Sequence, residues 1–134
     1  MRRKPVTLPP PIDVLIIAHD TQLTGALLYA LHARQLATDV AGDLVETRQL
    51  LSRTRYKVVV LDLTLAVATP RDVLNVLTCE PTPSDHIIVI ADADGSRVAD
   101  LQRMALKFTV FARDRVADLV AFIEAASHAR TPTH

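Results

Sequence analysis

The chain has 134 residues, enough for one domain with a sizeable core, and 49% of its residues are hydrophobic. Its 15 basic residues balance 15 acidic residues, so no net charge attracts it to nucleic acid or to a membrane surface. A single cysteine, Cys79, excludes an internal disulfide, and no apolar run is long enough to cross a bilayer. We therefore expect a cytoplasmic protein with no membrane contact and no direct nucleic-acid binding.

The two ends of the chain are predicted to lie outside the fold. Residues 1–11 hold four of the eight prolines and are predicted to form a flexible, extended arm, with a docking peptide as the alternative. Residues 129–134 are predicted to form a short tail. One folded domain is expected between them, over residues 12–128.

Five apolar segments are predicted to be strands. Residues 12–18, 56–61 and 86–91 each contain a continuous apolar run, which is typical of strands covered on both faces in the middle of a parallel sheet. Two weaker segments, residues 38–41 and 107–111, are predicted to be short strands.

A helical pattern follows each strand. The first runs from Leu23 to about Arg34, and Asp43 with Glu46 is predicted to form a capping box for a helix that ends at Arg53. Helix-cap residues also precede the other helices, at Asp20 or Thr21, at Thr69 and at Asp114.

Strand and helix repeated five times with short connections predict an α/β fold, a five-stranded parallel sheet doubly wound by helices on both faces. The carboxyl ends of parallel strands share one edge, where open α/β sheets hold their ligands. His19, Asp20, Asp62, Asp92 and Asp94 are predicted to gather there. Of these, Asp92 and Asp94 precede a glycine and are interpreted as turn and helix-cap residues.

Residues 58–65, VVVLDLTL, together with this order of elements, resemble the receiver domain of bacterial response regulators over residues 12–126. The resemblance implies a flavodoxin-like sheet with strand order 2-1-3-4-5 and places the phosphoacceptor aspartate of the family at Asp62. It also implies that Phe108 occupies the aromatic switch position of the fifth strand.

The remaining site positions depart from the pattern of that family. Ala18 and His19 stand where receivers carry an acidic pair that helps to bind Mg²⁺, with Asp20 one residue further on. Ala91 replaces a serine or threonine, and Phe111 replaces a lysine. Phosphoryl transfer needs such cations and donors to stabilise charge on the transferred group. We therefore predict a degenerate receiver, a pseudo-receiver, with no cofactor and poor Mg²⁺ binding.

Two side chains at this edge keep alternative interpretations. His19 with Asp20 and Asp62 is a weak candidate for a transition-metal site, but an ordinary loop histidine is favoured because the three residues lack clear ligand spacing. Phe111 is predicted to fill the space that the lysine of the family would use, and the alternative is a gate for a small ligand.

A contact surface is predicted near the end of the chain. Phe122 lies off the apolar stripe of the last helix and is expected to be exposed, and it forms the candidate interface together with Arg97 and Arg103 on the fourth helix.

The predicted function is a signalling module that acts through protein–protein contact and is not an enzyme. It is expected to stand alone, because the sequence ends soon after the last helix, and to form a homodimer or to bind a regulator or a histidine kinase. One alternative is an atypical response regulator phosphorylated on Asp62. The other is a small flavodoxin-like ligand-binding protein, although the sequence has no GxGxxG or Walker pattern.

Overall fold

A computed structural model describes residues 12–19, 21–62, 86–90, 108–112 and 114–128. The predictions for the arm, the tail, and the third and fourth helices lie outside the described residues. So do those for six single residues, which are Asp20, Ala91, Asp92, Asp94, Arg97 and Arg103.

The described residues form five strands and three helices. The strands are β1 (Ile12–Ile17), β2 (Thr38–Ala41), β3 (Tyr56–Asp62), β4 (His86–Ile90) and β5 (Thr109–Phe111). The helices are α1 (Thr21–Ala33), α2 (Leu44–Arg53) and α3 (Val116–His128). In these ranges, none of the helices combines the length and the apolar character needed to span a membrane.

All five strands are parallel and lie in the order β2-β1-β3-β4-β5, as predicted. The three continuous apolar segments are the three middle strands, because only there are both faces of a strand covered. The fifth strand begins at Thr109, two residues later than the apolar pattern indicated.

The sheet separates two apolar clusters, since successive side chains of a strand point to opposite faces. The first cluster joins the sheet to α1 and α3, through residues that include Val60, Ile88, Leu27 and Ile123. The second lies on the α2 side and includes Leu15, Leu61 and Val89. The described core therefore has the two layers that a doubly wound sheet requires.

Helix α1 ends in a Schellman motif. The amide of Leu36 donates to the carbonyl of Leu31 at 3.0 Å, and the amide of Gln35 donates to that of His32 at 2.9 Å. Gln35 has a φ of 59°, the left-handed conformation that this motif requires of the residue after the cap. Leu31 and Leu36 are both buried in the first cluster, so the motif fixes the direction of the chain into β2.

The starts of α2 and α3 test two predicted caps. The Asp43 carboxylate accepts a hydrogen bond from the Glu46 amide at 2.8 Å, which confirms Asp43 as the cap of α2. The prediction that Asp114 begins the last helix is wrong, because α3 starts at Val116. The first helical bond there runs from Leu119 to the carbonyl of Arg115, at 2.9 Å, so Arg115 holds the cap position.

Candidate functional site

Four residues on four neighbouring chain segments form a row across the carboxyl edge of the sheet. Asp62, the last residue of β3, is in register with Ile90 of β4, which is in register with Phe111 of β5. Ala18 follows Ile17, the register partner of Leu61, and therefore comes next to Asp62 on its other side. We call Ala18, Asp62, Ile90 and Phe111 the carboxyl-edge row.

The row faces the α1 and α3 side of the sheet. Residues in register on parallel strands point to the same face, and Ala18, Ile90 and Phe111 all pack in the first apolar cluster. The Asp62 side chain has the same parity as Val60, which also belongs to that cluster. A carboxylate is thus set between two apolar neighbours, Ala18 and Ile90.

Asp62 is fully buried, with a relative exposure of 0%. Its neighbours Ala18 and Ile90 are also buried. Within the described part of the chain the Oδ2 atom accepts no hydrogen bond, although Asp62 does take part in another polar interaction. A phosphodonor must reach a carboxylate oxygen to transfer its phosphoryl group. In this conformation the Asp62 carboxylate offers no open approach.

The described residues at this edge do not fit a magnesium ion. Mg²⁺ prefers a near-octahedral set of oxygen ligands and keeps several water molecules. The Ala18 side chain supplies no ligand, and Asp62 is fully buried. His19 is exposed and lies outside helix and strand, as the loop-histidine interpretation expects. Among described residues there is no group of three His, Cys, Asp or Glu side chains that could hold a metal.

Phe111 packs toward α3 in an aromatic stack. Its ring meets that of Phe122 at a centroid distance of 5.4 Å and an angle of 61°, and Phe122 meets His86 at 6.4 Å and 87°. These edge-to-face geometries are favourable for aromatic pairs. Phe111 is therefore packed against the apolar core, in contact with the last helix.

The expectation that Phe122 is exposed is wrong. Its side chain is half-buried and packs against the first cluster, although it lies beside the main stripe of α3. The reason is that β5 brings Phe111 over the flank of α3 and so widens the apolar face that the helix can cover. Helical spacing within α3 alone does not contain that information.

Phe108 lies on the other side of the sheet. It is half-buried just before β5 and packs against the second cluster, on the α2 side. Phe111, three residues later, packs against the first cluster. Phe108 and Phe111 therefore lie on opposite faces of the sheet.

A polar network at the opposite, amino edge was not predicted. The Lys57 ammonium donates to the carbonyl of Ser127 at 3.2 Å and lies 3.4 Å from the Asp13 carboxylate. Asp13 also accepts from the amide of Ala37 at 2.9 Å. One feature of the sequence could have indicated this network: Asp13 and Lys57 are each the second residue of a strand and are followed by apolar residues.

A buried tyrosine completes this edge. The Tyr56 hydroxyl donates to the Asp39 carboxylate at 2.7 Å and so joins β3 to the edge strand β2 across β1. Burial raises the pKa of Tyr56 well above its usual value, and the hydrogen bond to Asp39 raises it further. The phenol is therefore held as a neutral donor.

Comparison with known proteins finds the fold but no sequence family. No family model matches the chain, and a search of curated proteins found no match. Among solved structures, the receiver domain of the Francisella response regulator 1452 has a TM-score of 0.69 at 16% identity, over 87% of this chain and 96% of that chain. The receiver domain of the Pseudomonas aeruginosa sensor histidine kinase PA1611, which holds a magnesium ion in its active site cleft, has a TM-score of 0.74 at 13% identity, over 90% of this chain and 100% of that chain.

A designed protein with a similar structure shows that such a match identifies the fold and not the function. A de novo designed Rossmann 2x3 protein matches with a TM-score of 0.62 at 10% identity, over 91% of this chain and 97% of that chain. Likeness at such identities establishes the fold, because one architecture can carry many functions or none. With its five parallel strands in the order β2-β1-β3-β4-β5, the chain has the flavodoxin-like fold of response regulator receiver domains.

Proposed function

We propose that this protein is a pseudo-receiver, a signalling module that acts through contact with other proteins and does not depend on phosphorylation. The observation that carries the proposal is the complete burial of Asp62 in an otherwise apolar row. The solved structures of similar fold that are named as receiver domains support the wider assignment to signalling.

The surroundings of Asp62 oppose phosphorylation on energetic grounds. A phosphoryl group brings a charge of about −1.5 to −2 at neutral pH. Here the register neighbours are Ala18 and Ile90, with Phe111 beyond them, and none of these offers a cation or a donor from its side chain. The charge of a phosphoryl group would have to be met by groups outside this row, and removing an ion from water costs several kcal/mol even after the protein relaxes.

The same packing favours a fixed output surface. Phe111 joins β5 to α3 through Phe122, so the relative position of these two elements is held by apolar contact. Val110, between Thr109 and Phe111 on the edge strand, is 38% exposed. We place the partner contact on the free edge of β5 around Val110, with a second copy of the chain or another signalling protein as the partner.

Intact mass after incubation with acetyl phosphate and Mg²⁺ tests independence from phosphorylation. The unmodified chain is expected to gain no phosphoryl group, and Asp62→Asn serves as the matched control. An adduct on the unmodified chain that is missing from Asp62→Asn would overturn the proposal in favour of an atypical response regulator phosphorylated at this residue.

Sedimentation velocity tests the contact surface. Val110→Asp places a charge on the exposed part of β5 and is expected to weaken self-association or binding to a captured partner. Val45→Asp is the matched control, since Val45 is 63% exposed on α2, away from β5. If Val110→Asp and Val45→Asp have the same effect on association, β5 is not part of the interface.

A further inference from the structure

The outer face of α1 is unusual for a surface helix. None of its thirteen residues is Asp, Glu, Lys or Arg, although 22% of the whole chain is charged, which would give about three in a segment of this length. Surface helices normally carry their charged residues on the side that faces water. The one basic side chain, His32, stands in the last turn. The composition of α1 is therefore that of a helix covered on both sides.

The exposed side of α1 has the residue spacing of a helix-packing surface. The buried side packs in the first apolar cluster through Leu23, Leu27 and Leu31. On the opposite side, four exposed residues recur at intervals of three, four and three positions and fall within about 80° of arc. They are Gln22, Gly25, Tyr29 and His32, and we call them the α1 seam. Alternating intervals of three and four are the spacing by which one helix packs along another.

Gly25 lies at the middle of this seam and has no structural reason inside the chain. Glycine in a helix interior is destabilising relative to alanine. A Cβ atom added at Gly25 would meet nothing within 4 Å, so no described part of the chain uses the space that the glycine leaves. One turn later, the Tyr29 side chain is 81% exposed. A gap and a protruding ring thus stand next to each other on the seam.

These features fit a second copy of the same helix, and we propose that α1 packs antiparallel against α1 of another copy of the chain about a two-fold axis. With the axis at the level of Leu27, Tyr29 of each copy lies against Gly25 of the other. The same axis pairs Gln22 with His32, so that an amide meets an imidazole at each end. Each ring then fills the gap that the glycine of the other copy leaves.

The absence of charge favours a second copy as the occupant. Near a two-fold axis a side chain meets the same surface of its copy, so a charged residue there would face a like charge. The α1 seam avoids this, whereas α2, on the other face of the sheet, exposes Glu46, Arg48 and Arg53. Antiparallel helices also place their dipoles in opposite directions. The seam can therefore be covered by its own copy without burying an unpaired charge.

The α1 seam is separate from the β5 edge. Helix α1 packs against β2 and α3, and β2 and β5 are the opposite edges of the sheet. The two contacts can therefore form independently. A helix of thirteen residues is about 20 Å long and about 10 Å wide, which is small beside the roughly 800 Å² that each partner buries in a standard interface. We therefore expect a weak dimer that dissociates on dilution.

The test dilutes the full-length chain, labelled with 3-fluorotyrosine, from millimolar to micromolar concentration. Tyr29 and Tyr56 are the two tyrosines of the sequence, so the fluorine spectrum has two resonances, which Tyr29→Phe assigns. The Tyr29 resonance is expected to move with concentration along the same curve as the mass from sedimentation equilibrium. The Tyr56 resonance is expected to stay in place, because Tyr56 is buried within the fold.

Gly25→Leu separates the dimer from the fold. Leucine is a better helix former than glycine, so the melting temperature of the dilute monomer is expected to rise. The dimer dissociation constant is expected to rise about tenfold or more, because the leucine occupies the place of the ring from the other copy. Gln49→Leu is the matched control, at an exposed position of α2, and is expected to leave the dissociation constant unchanged.

A second variant tests the seam by charge. Tyr29→Arg puts like charges close to the axis and is expected to leave a monomer at all these concentrations, with Val45→Arg, exposed on α2, as the control that still dimerises. A Tyr29 resonance that does not move up to millimolar concentration would overturn the proposal. So would a dimer that forms equally well in Gly25→Leu and Tyr29→Arg. Loss of the concentration dependence in Val110→Asp alone would assign self-association to β5, and the α1 proposal would be wrong.

Discussion

The two edges of the sheet use their polar side chains in opposite ways. At the amino edge, Lys57 contacts Asp13 and the end of α3, and Tyr56 donates to Asp39, so charged and polar groups there tie elements together. At the carboxyl edge, the one carboxylate in the row, Asp62, is fully buried, and its neighbours in the sheet are Ala18 and Ile90.

The difference between the two edges shows that a sheet can have the receiver-like strand order without an open polar crevice among its described residues. Ligand crevices of open α/β sheets form at the carboxyl edge, where polar groups stay accessible to react. In the described residues of this chain, that edge is packed like a core, and the polar contacts that remain serve to hold strands and helices in place. The fold alone therefore does not determine what the carboxyl edge of the sheet does.

The largest expected effect comes from opening the carboxyl-edge row. Ile90→Ala is predicted to lower the free energy of unfolding by about 3 kcal/mol, because it leaves a cavity at a residue that is 1% exposed. Urea titration measures the change, with Val110→Ala on the adjacent strand as a control expected to cost less than about 1 kcal/mol. Equal losses for the two variants would contradict the packed-edge description.

A smaller loss is expected from the aromatic stack beside the row. Phe111→Ala is predicted to cost about 2 kcal/mol, less than a fully buried phenylalanine, because its side chain is half-buried. A double-mutant cycle with Phe122→Ala is predicted to give a coupling free energy of about 1 kcal/mol from the edge-to-face contact. Additive effects of the two substitutions would show that the rings stabilise the fold independently.

At the amino edge, Tyr56→Phe is predicted to cost about 1.5 kcal/mol by removing the hydrogen bond to the Asp39 carboxylate. It also has a pH signature. Since the pKa of Tyr56 is raised from 10.0, the folded state keeps the phenol proton where the unfolded chain releases it. The stabilisation is therefore complete below about pH 10 and falls as the pH rises above it.

Chemical denaturation between pH 8 and about pH 11 measures this decline, which lies around the ordinary tyrosine pKa. Tyr56→Phe is expected to flatten it, and Tyr29→Phe, at the exposed tyrosine, is the control that is expected to leave it unchanged. The same decline in both variants would assign the pH dependence to other groups.

The smallest effect is expected at the partly exposed ion pair of the amino edge. Lys57→Met is predicted to lower the free energy of unfolding by about 1 kcal/mol or less, since both side chains keep solvent contact and the pair is screened. The difference from the unmodified chain is expected to shrink in high salt. A salt-independent loss would instead point to packing of the lysine stem.

The fold was predictable because its signals are local. Continuous apolar runs marked β1, β3 and β4, and the Asp43 cap marked the start of α2. The burial of Asp62 and the packing of Phe122 were not predictable, because each depends on residues brought in by another strand or helix. The amino-edge network depends on a pairing 70 residues apart, between Lys57 and Ser127, that no spacing rule encodes.

The most direct test of the central claim is the melting temperature with and without millimolar Mg²⁺ and acetyl phosphate, for the unmodified chain and for Asp62→Asn. A ligand or modification that favours the folded state raises its stability by linkage. The enclosed Asp62 carboxylate predicts the same melting temperature in all four conditions once the effect of the substitution is subtracted. A rise in the unmodified chain that Asp62→Asn abolishes would contradict the account and show that the carboxyl edge still carries out receiver chemistry.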